Sequence, residues 1–462
     1  MKEFPEDRLR ALENYVFDRM ADSKLPGLSI AAVKDGELLY KRGFGFRDLE
    51  TGASATPESI YCIGSVTKSF TALAVTQLHE KGLLSIDDPI EKYVPLKLKS
   101  VGEPIKVKHL MSHSSGIPAL GYAEASLPLV TGGSDRWLPI SNARDLITFM
   151  SGIEDWIHSR PGERWFYSNE SFILLGAIIE TASGERYADY VKHHILQPLK
   201  MDRSSFHKED VERDLDVATP YTTGEGGERV ATRYLYGEMI SDGGLMSSVV
   251  DMSHYVRMLL AHGEFEGRRV ASPESVKAMM EPKVSTPQRN FEGQSYLYYG
   301  YGLRIKSNFF GLNLMNHSGS VYGSSGYLGF IPERQVGVMV LTNAGYFLES
   351  IGEYALTLLL GEEPRETTSR RTRLLDGLTG NYQTYRGIMS FKVTRSGGLL
   401  QLETMFGRRG FGTPLVPVDL EEETKLFHIL GTDGVTPVEF MEKNGEIFMI
   451  YDRYTAKKTS DL

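Results

Sequence analysis

Leu9, Leu12, Val16 and Met20 recur three or four positions apart, which predicts an amphipathic helix near the start of the chain. Two strand-like stretches follow, 27–33 and 37–45, joined at the hairpin signal Asp35-Gly36. Gly43-Phe44-Gly45-Phe46 lacks a third glycine and follows no βαβ pattern, so it reads as strand and not as a nucleotide-binding loop. A helix is predicted from Ser65 to about Lys81, with Gly82 as its stop. Residues 87–284 mix helices and loops, with helices near 172–183 and 251–261. Strand character returns from Tyr301, and 326–331 and 336–342 form a second hairpin pair, divided by Pro332-Glu333-Arg334. A helix follows near Glu349–Leu360. Strands at both ends of a helical middle predict one sheet built from two distant segments, an α/β (α+β) sandwich with an inserted helical lobe. The cleft between lobes is where a ligand is expected.

Residues 361–373 break the pattern, being polar and free of large apolar side chains except at the edge, and read as a linker. Beyond them Met389, Phe391 and Val393 alternate with Ser390, Lys392 and Thr394. Ser396-Gly397-Gly398 and Lys443-Asn444-Gly445 are hairpin turns between such runs, so the tail reads as a small antiparallel all-β barrel. The division expected is therefore 1–361, a linker at 362–373, and a barrel at 374–462.

Composition narrows the function classes. The chain has 462 residues, which favours two domains over one core. Its net charge of -9 argues against nucleic acid as a main partner. The single cysteine, Cys62, excludes an internal disulfide framework and any multi-cysteine metal site; it sits in an apolar run and reads as packing. Charges at Glu6-Asp7-Arg8 stand where a secretion signal needs its apolar stretch, and the longest apolar run, near 172–179, is short of a membrane span. A cytoplasmic protein without membrane contact is expected.

Three motifs carry chemistry. Ser65-Val66-Thr67-Lys68 places a hydroxyl nucleophile and an amine base one helical turn apart. Alone that pattern reads as a polar helix start. About a hundred residues on, Tyr167-Ser168-Asn169 puts a phenol and an amide on the same side of a turn. Alone, Tyr167 reads as a half-buried aromatic. His317-Ser318-Gly319-Ser320 opens the later strand hairpin, and its glycine permits close approach of a ligand to the backbone. His193-His194 and His79-Glu80 lack zinc-motif spacing, and His113 reads as a structural hydrogen-bonding residue in its turn. Tyr299 reads equally as cleft lining or as core. No metal or cofactor is implied.

These three elements, in this order, resemble the class C β-lactamase and penicillin-binding-protein-like serine hydrolases. Residues 109–118, 197–201 and 243–248 fit the same family pattern. The resemblance implies that Ser65 is the nucleophile of an acyl-enzyme and that Lys68, as a neutral amine, activates it. It implies that Tyr167 passes a proton to the leaving group, that His317 belongs to the catalytic set, and that Asn169, Gly319 and Ser320 contact substrate. The N–H groups of Ser65 and Ser320 would then form an oxyanion hole. Where β-lactamases and carboxypeptidases of this family place Lys-Thr-Gly, this chain has His317-Ser318-Gly319. Histidine is a poor permanent cation near neutral pH, so the form resembles the D-aminopeptidase and esterase branches instead. The tail resembles the lipocalin-like domain of some family members, including self-compartmentalising peptidases, and implies a lid, a ligand barrel or a homo-oligomer contact. The readings carried forward are a peptidase or amidase on small peptides, with D-residues favoured, a carboxylesterase, and a non-catalytic penicillin-binding scaffold.

Overall fold

The structure is a computed structural model. It describes all residues except 1–3, 99–101, 124, 126–137, 158, 225–226, 290–295, 365–367, 405–411, 421–423 and 432–433. The chain divides into two compact units, Met1–Glu363 and Pro364–Leu462.

The first unit is built on a nine-stranded antiparallel sheet. Its order runs from Val284–Arg289 and Tyr296–Tyr299 through Arg304–Phe309, Leu312–Val321, Ser324–Ile331 and Val336–Thr342, and then to Gly27–Lys34, Glu37–Asp48 and Ala53–Ser54. The two chain segments meet where Gly27–Lys34 pairs with Val336–Thr342, Ile30 lying opposite Val340. Both strands are buried on both faces, which is why they read as continuous apolar runs and not as alternations. Val336, Val338 and Val340 point into the core under the terminal helices Glu6–Asp22 and Glu349–Leu360. Met339 and Leu341 point the other way, into the core beneath Thr67–Glu80, Asn169–Ser183 and Val249–Leu260.

The sheet begins earlier than the sequence pattern indicates, at Val284 and not at Tyr301. The segment His317–Ser320 also proves to lie within a long strand, Leu312–Val321, which pairs in register with Ser324–Ile331. Polar residues at Asn316, His317, Ser318 and Ser320 hide that strand from a hydrophobicity pattern.

In the second unit, eight strands from Gly380–Gln383 to Tyr454–Ser460 each pair antiparallel with the next, and the first closes on the last to make a barrel. Phe391 and Val393 point inward as their alternation predicts, and both hairpin turns fall where the glycines place them. Tyr382, Phe427, Phe440 and Met449 fill the interior, as expected of a barrel of this strand number. The expected linker is shorter than its composition indicates: a helix occupies Thr368–Leu378, and Arg365, Glu366 and Thr367 lie outside the described residues. Among the described residues, no helix is long and apolar enough to cross a membrane.

Candidate active site

Ser65 sits in a single 3₁₀ turn, Gly64–Val66, that leads into the helix Thr67–Glu80. That helix is buried from Thr67 to Leu78 on every side. Its position is set from both flanks: Tyr61 pairs with Ser247, the Ile63 amide donates to the Leu245 carbonyl at 3.0 Å, and Thr67 Oγ1 accepts from the Leu245 amide at 3.2 Å. The turn that carries Ser65 is thus fixed by bonds to the 245–247 segment and not by its own few residues.

The turn lies against the strand Leu312–Val321 with no room for side chains between them. Gly64 has φ +55°, and a methyl group there would fall 2.7 Å from the Ser320 nitrogen. A methyl group at Gly319 would fall 2.4 Å from the Ser65 nitrogen. The two glycines therefore let the backbone of Gly64–Ser65 approach that of Gly319–Ser320 closely. Ser320 itself is exposed, its hydroxyl accepting from Ser325 Oγ at 3.2 Å.

Lys68 is fully buried and its amine meets three oxygens: Ser65 Oγ at 2.9 Å, Asn169 Oδ1 at 2.8 Å and the Asp242 carbonyl at 2.7 Å. Asn169 is the first residue of the helix Asn169–Ser183, and Ser168 caps that helix by accepting from the Ser171 amide at 3.1 Å. Tyr167 is held just ahead of the cap, its ring centroid 4.9 Å from the Lys68 amine. The structure thus brings Ser65, Lys68, Tyr167 and Asn169 together from segments a hundred residues apart.

His317 is fully buried behind this group. Its Nδ1 donates to the Ser318 carbonyl at 2.7 Å, leaving Nε2 to accept from the Tyr299 hydroxyl at 2.9 Å. Burial, with Arg304 and Lys68 nearby, holds the imidazole well below its ordinary value. Both ring nitrogens are engaged by the protein, so His317 forms part of the wall and presents no charge to the cleft. Tyr299, also fully buried, belongs to the same wall, and burial pushes its phenol well above the ordinary range. Cys62 is buried as packing requires, and its thiol is pushed up to about 12 by burial.

Two participants escape a sequence reading. Asp242 contributes its backbone carbonyl, which has no side-chain signature, while its carboxylate accepts from the Tyr122 hydroxyl at 2.8 Å. Arg304 reaches to 5.8 Å from the Tyr167 ring centroid, and its buried Nε has no hydrogen-bond partner among the described residues. Its one signal was a guanidinium set between the fully apolar Leu303 and Ile305 of a strand. Among the described residues no cluster of three or more histidine, cysteine or acidic side chains is arranged to hold a metal ion.

Comparison with known proteins agrees with this architecture. Residues 12–360 match the Beta-lactamase family, and residues 365–456 match the Pab87 octamerisation domain. The octameric penicillin-binding protein homologue from Pyrococcus abyssi is 43% identical, covering 97% of this chain and 100% of that one, with a TM-score of 0.91. A penicillin-binding protein from Bacillus halodurans, 24% identical, shares the fold over 76% of this chain and 98% of its own, with a TM-score of 0.59. Protein flp of Staphylococcus aureus (strain MW2) is 26% identical over 341 residues, 73% of this chain; the match spans 63% of the length of that curated relative. With the family match covering most of its length and a full-length structural relative at 43% identity, the chain belongs to the β-lactamase family of penicillin-binding-protein-like folds and carries a C-terminal Pab87-type octamerisation domain.

Proposed function

We propose that the chain is a serine hydrolase that forms an acyl-enzyme on Ser65 and cleaves amide bonds in small peptides, with D-residue-containing peptides favoured. The observation that carries this reading is the hydrogen-bond geometry of Lys68. Asn169 Oδ1 and the Asp242 carbonyl can only accept, so each takes an N–H of the buried Lys68 amine and together they fix its place. That holds the amine against Ser65 Oγ at 2.9 Å, within reach of the hydroxyl proton the reaction must move.

In that reaction Ser65 Oγ bonds to the carbonyl carbon as its proton passes to Lys68. The carbonyl electron pair moves onto oxygen, and the Ser65 and Ser320 amides receive it. Collapse breaks the bond to the leaving amine, which takes a proton by way of Tyr167. Water then repeats the sequence on the acyl-enzyme. His317 shapes the wall behind Tyr167 and does not bind charge.

Arg304 bears on the choice between amide and ester. It supplies a permanent cation beside Tyr167, where His317 supplies none, and this suits a substrate with a free carboxylate better than a neutral ester. The carboxylesterase remains the second reading, since the same Ser65 chemistry serves it. The Pab87 octamerisation match and the octameric relative support a homo-oligomer formed through the C-terminal barrel. The packed barrel interior favours that role over a ligand carrier.

The test is hydrolysis of L- and D-aminoacyl anilides, short peptides, p-nitrophenyl butyrate and a chromogenic cephalosporin, with Ser65→Ala as control. Amide cleavage that falls at least ~10³-fold in the variant is the expected outcome. Ester cleavage alone replaces this reading with the second, and no turnover with no fluorophosphonate labelling leaves the non-catalytic scaffold.

A further inference from the structure

We infer that His113 is the positioning residue for Tyr167, gripping its chain on both sides so that the phenol stays over Lys68. The inference rests on the acyl-enzyme reading above. His113 lies in the turn after the short helix Val107–Met111 and is fully buried. Its carbonyl accepts from the Phe166 amide at 2.8 Å, and its Nδ1 accepts from the Ser168 amide at 3.1 Å. The neighbouring Ser114 carbonyl accepts from the Gly162 amide at 2.7 Å, extending the same template upstream. The His113 and Tyr167 rings then pack with centroids 4.3 Å apart.

Three features make this more than packing. First, His113 holds φ +56°, a left-handed conformation that histidine and asparagine adopt more readily than bulkier residues. Second, because Nδ1 accepts, the neutral ring carries its proton on Nε2, which is buried and has no hydrogen-bond partner among the described residues. An unpaired buried donor is destabilising, a cost that a phenyl ring in the same aromatic pocket would not carry. Phenyl, however, cannot accept the Ser168 amide. The histidine is explained by the contact that fixes the peptide bond immediately after Tyr167. Third, burial and the nearby Lys68, His317 and Arg304 hold the ring well below its ordinary value, so Nδ1 remains an acceptor at neutral pH.

The test compares His113→Phe, His113→Ala and His113→Asn for the rate of Ser65 labelling by a fluorophosphonate and for kcat and KM on p-nitrophenyl butyrate. Phe and Ala remove the acceptor, while Asn tolerates the backbone angle and places an amide oxygen near the Nδ1 position. The first two are expected to lose at least ~10-fold in labelling rate and kcat with KM held within about twofold, and Asn to return to within about threefold of the parent. If His113→Phe does not fold, His113→Ala carries the same comparison. In a Tyr167→Phe background the His113 substitutions should cost less than about twofold more, because their effect passes through the missing hydroxyl. Parental rates in His113→Phe or His113→Ala, no recovery with Asn, or a fully additive loss in the Tyr167→Phe background overturns the inference. A parent protein that neither labels nor turns over overturns the hydrolase reading instead, and this inference with it.

Discussion

Arg304 and His317 differ in what they could offer a charged substrate. The imidazole is engaged by Ser318 and Tyr299, while the Arg304 guanidinium lies 5.8 Å from the Tyr167 ring centroid. Arg304→Gln should therefore raise KM for a peptide with a free carboxylate by about tenfold or more and leave KM for p-nitrophenyl butyrate within about twofold. Equal effects on both substrates would count against a carboxylate contact. At this scale the sequence was most informative where two functional groups share one local element. Ser65 and Lys68 are legible because helical geometry alone brings them together. Arg304 and the Asp242 carbonyl are not, since neither makes a pattern until the sheet and the loop before Leu245 are folded around the helix.

The strand Leu312–Val321 and the turn Gly64–Val66 pack backbone to backbone, so the oxyanion site proposed there would be a property of two elements and not of any one side chain. Gly319→Ala should force them apart, because its methyl group would stand 2.2 Å from the Ile63 carbonyl and 2.4 Å from the Ser65 nitrogen. The expected result is a loss of kcat of about 10²–10³-fold, the size seen when an oxyanion donor is removed. Rapid kinetics of acylation would check it, and an unchanged acylation rate would remove Ser320 from the oxyanion site. Elements with strong local signals were read correctly, including the first helix, the Gly27–Lys34 hairpin, the Glu349–Leu360 helix and the barrel turns. The strand bearing His317 was read only as the start of a hairpin, and the strands Val284–Arg289 and Tyr296–Tyr299 were missed. Of these strands' residues Tyr299 meets His317, a contact that only the assembled sheet makes. The helix Thr368–Leu378 was likewise hidden in a composition that resembles a linker.

For the molecule as a whole, three buried histidines contribute to the acid side of stability. His109 is held at about 4, and His113 and His317 well below 6.5, in each case chiefly by burial. In the unfolded chain these groups take up protons below about pH 6.5, so there the unfolded state binds more protons than the fold. Their effect on stability is therefore negligible above that pH and grows unfavourable as pH falls, by up to about 1.4 kcal/mol per unit for each histidine. His109 stops adding to the slope once pH passes about 4. Urea midpoints should fall between about pH 7 and about pH 5, less steeply in His113→Asn, and a flat profile would refute the assignment. Light scattering should find a homo-oligomer for the full chain and a much smaller particle for a chain ending at Glu363, and equal masses would remove the barrel from assembly. The sequence by itself determined the two-unit plan, the Ser65 hydroxyl with its adjacent amine, and the barrel's turns, because each is written in local spacing or turn chemistry. Only the tertiary structure decided which backbone approaches the Ser65 turn, that His317 is buried against Tyr299 with Arg304 beside Tyr167, and that His113 holds the chain on both sides of Tyr167. Those relations join segments distant along the chain, and burial and close packing, which no local pattern encodes, set their distances and protonation states.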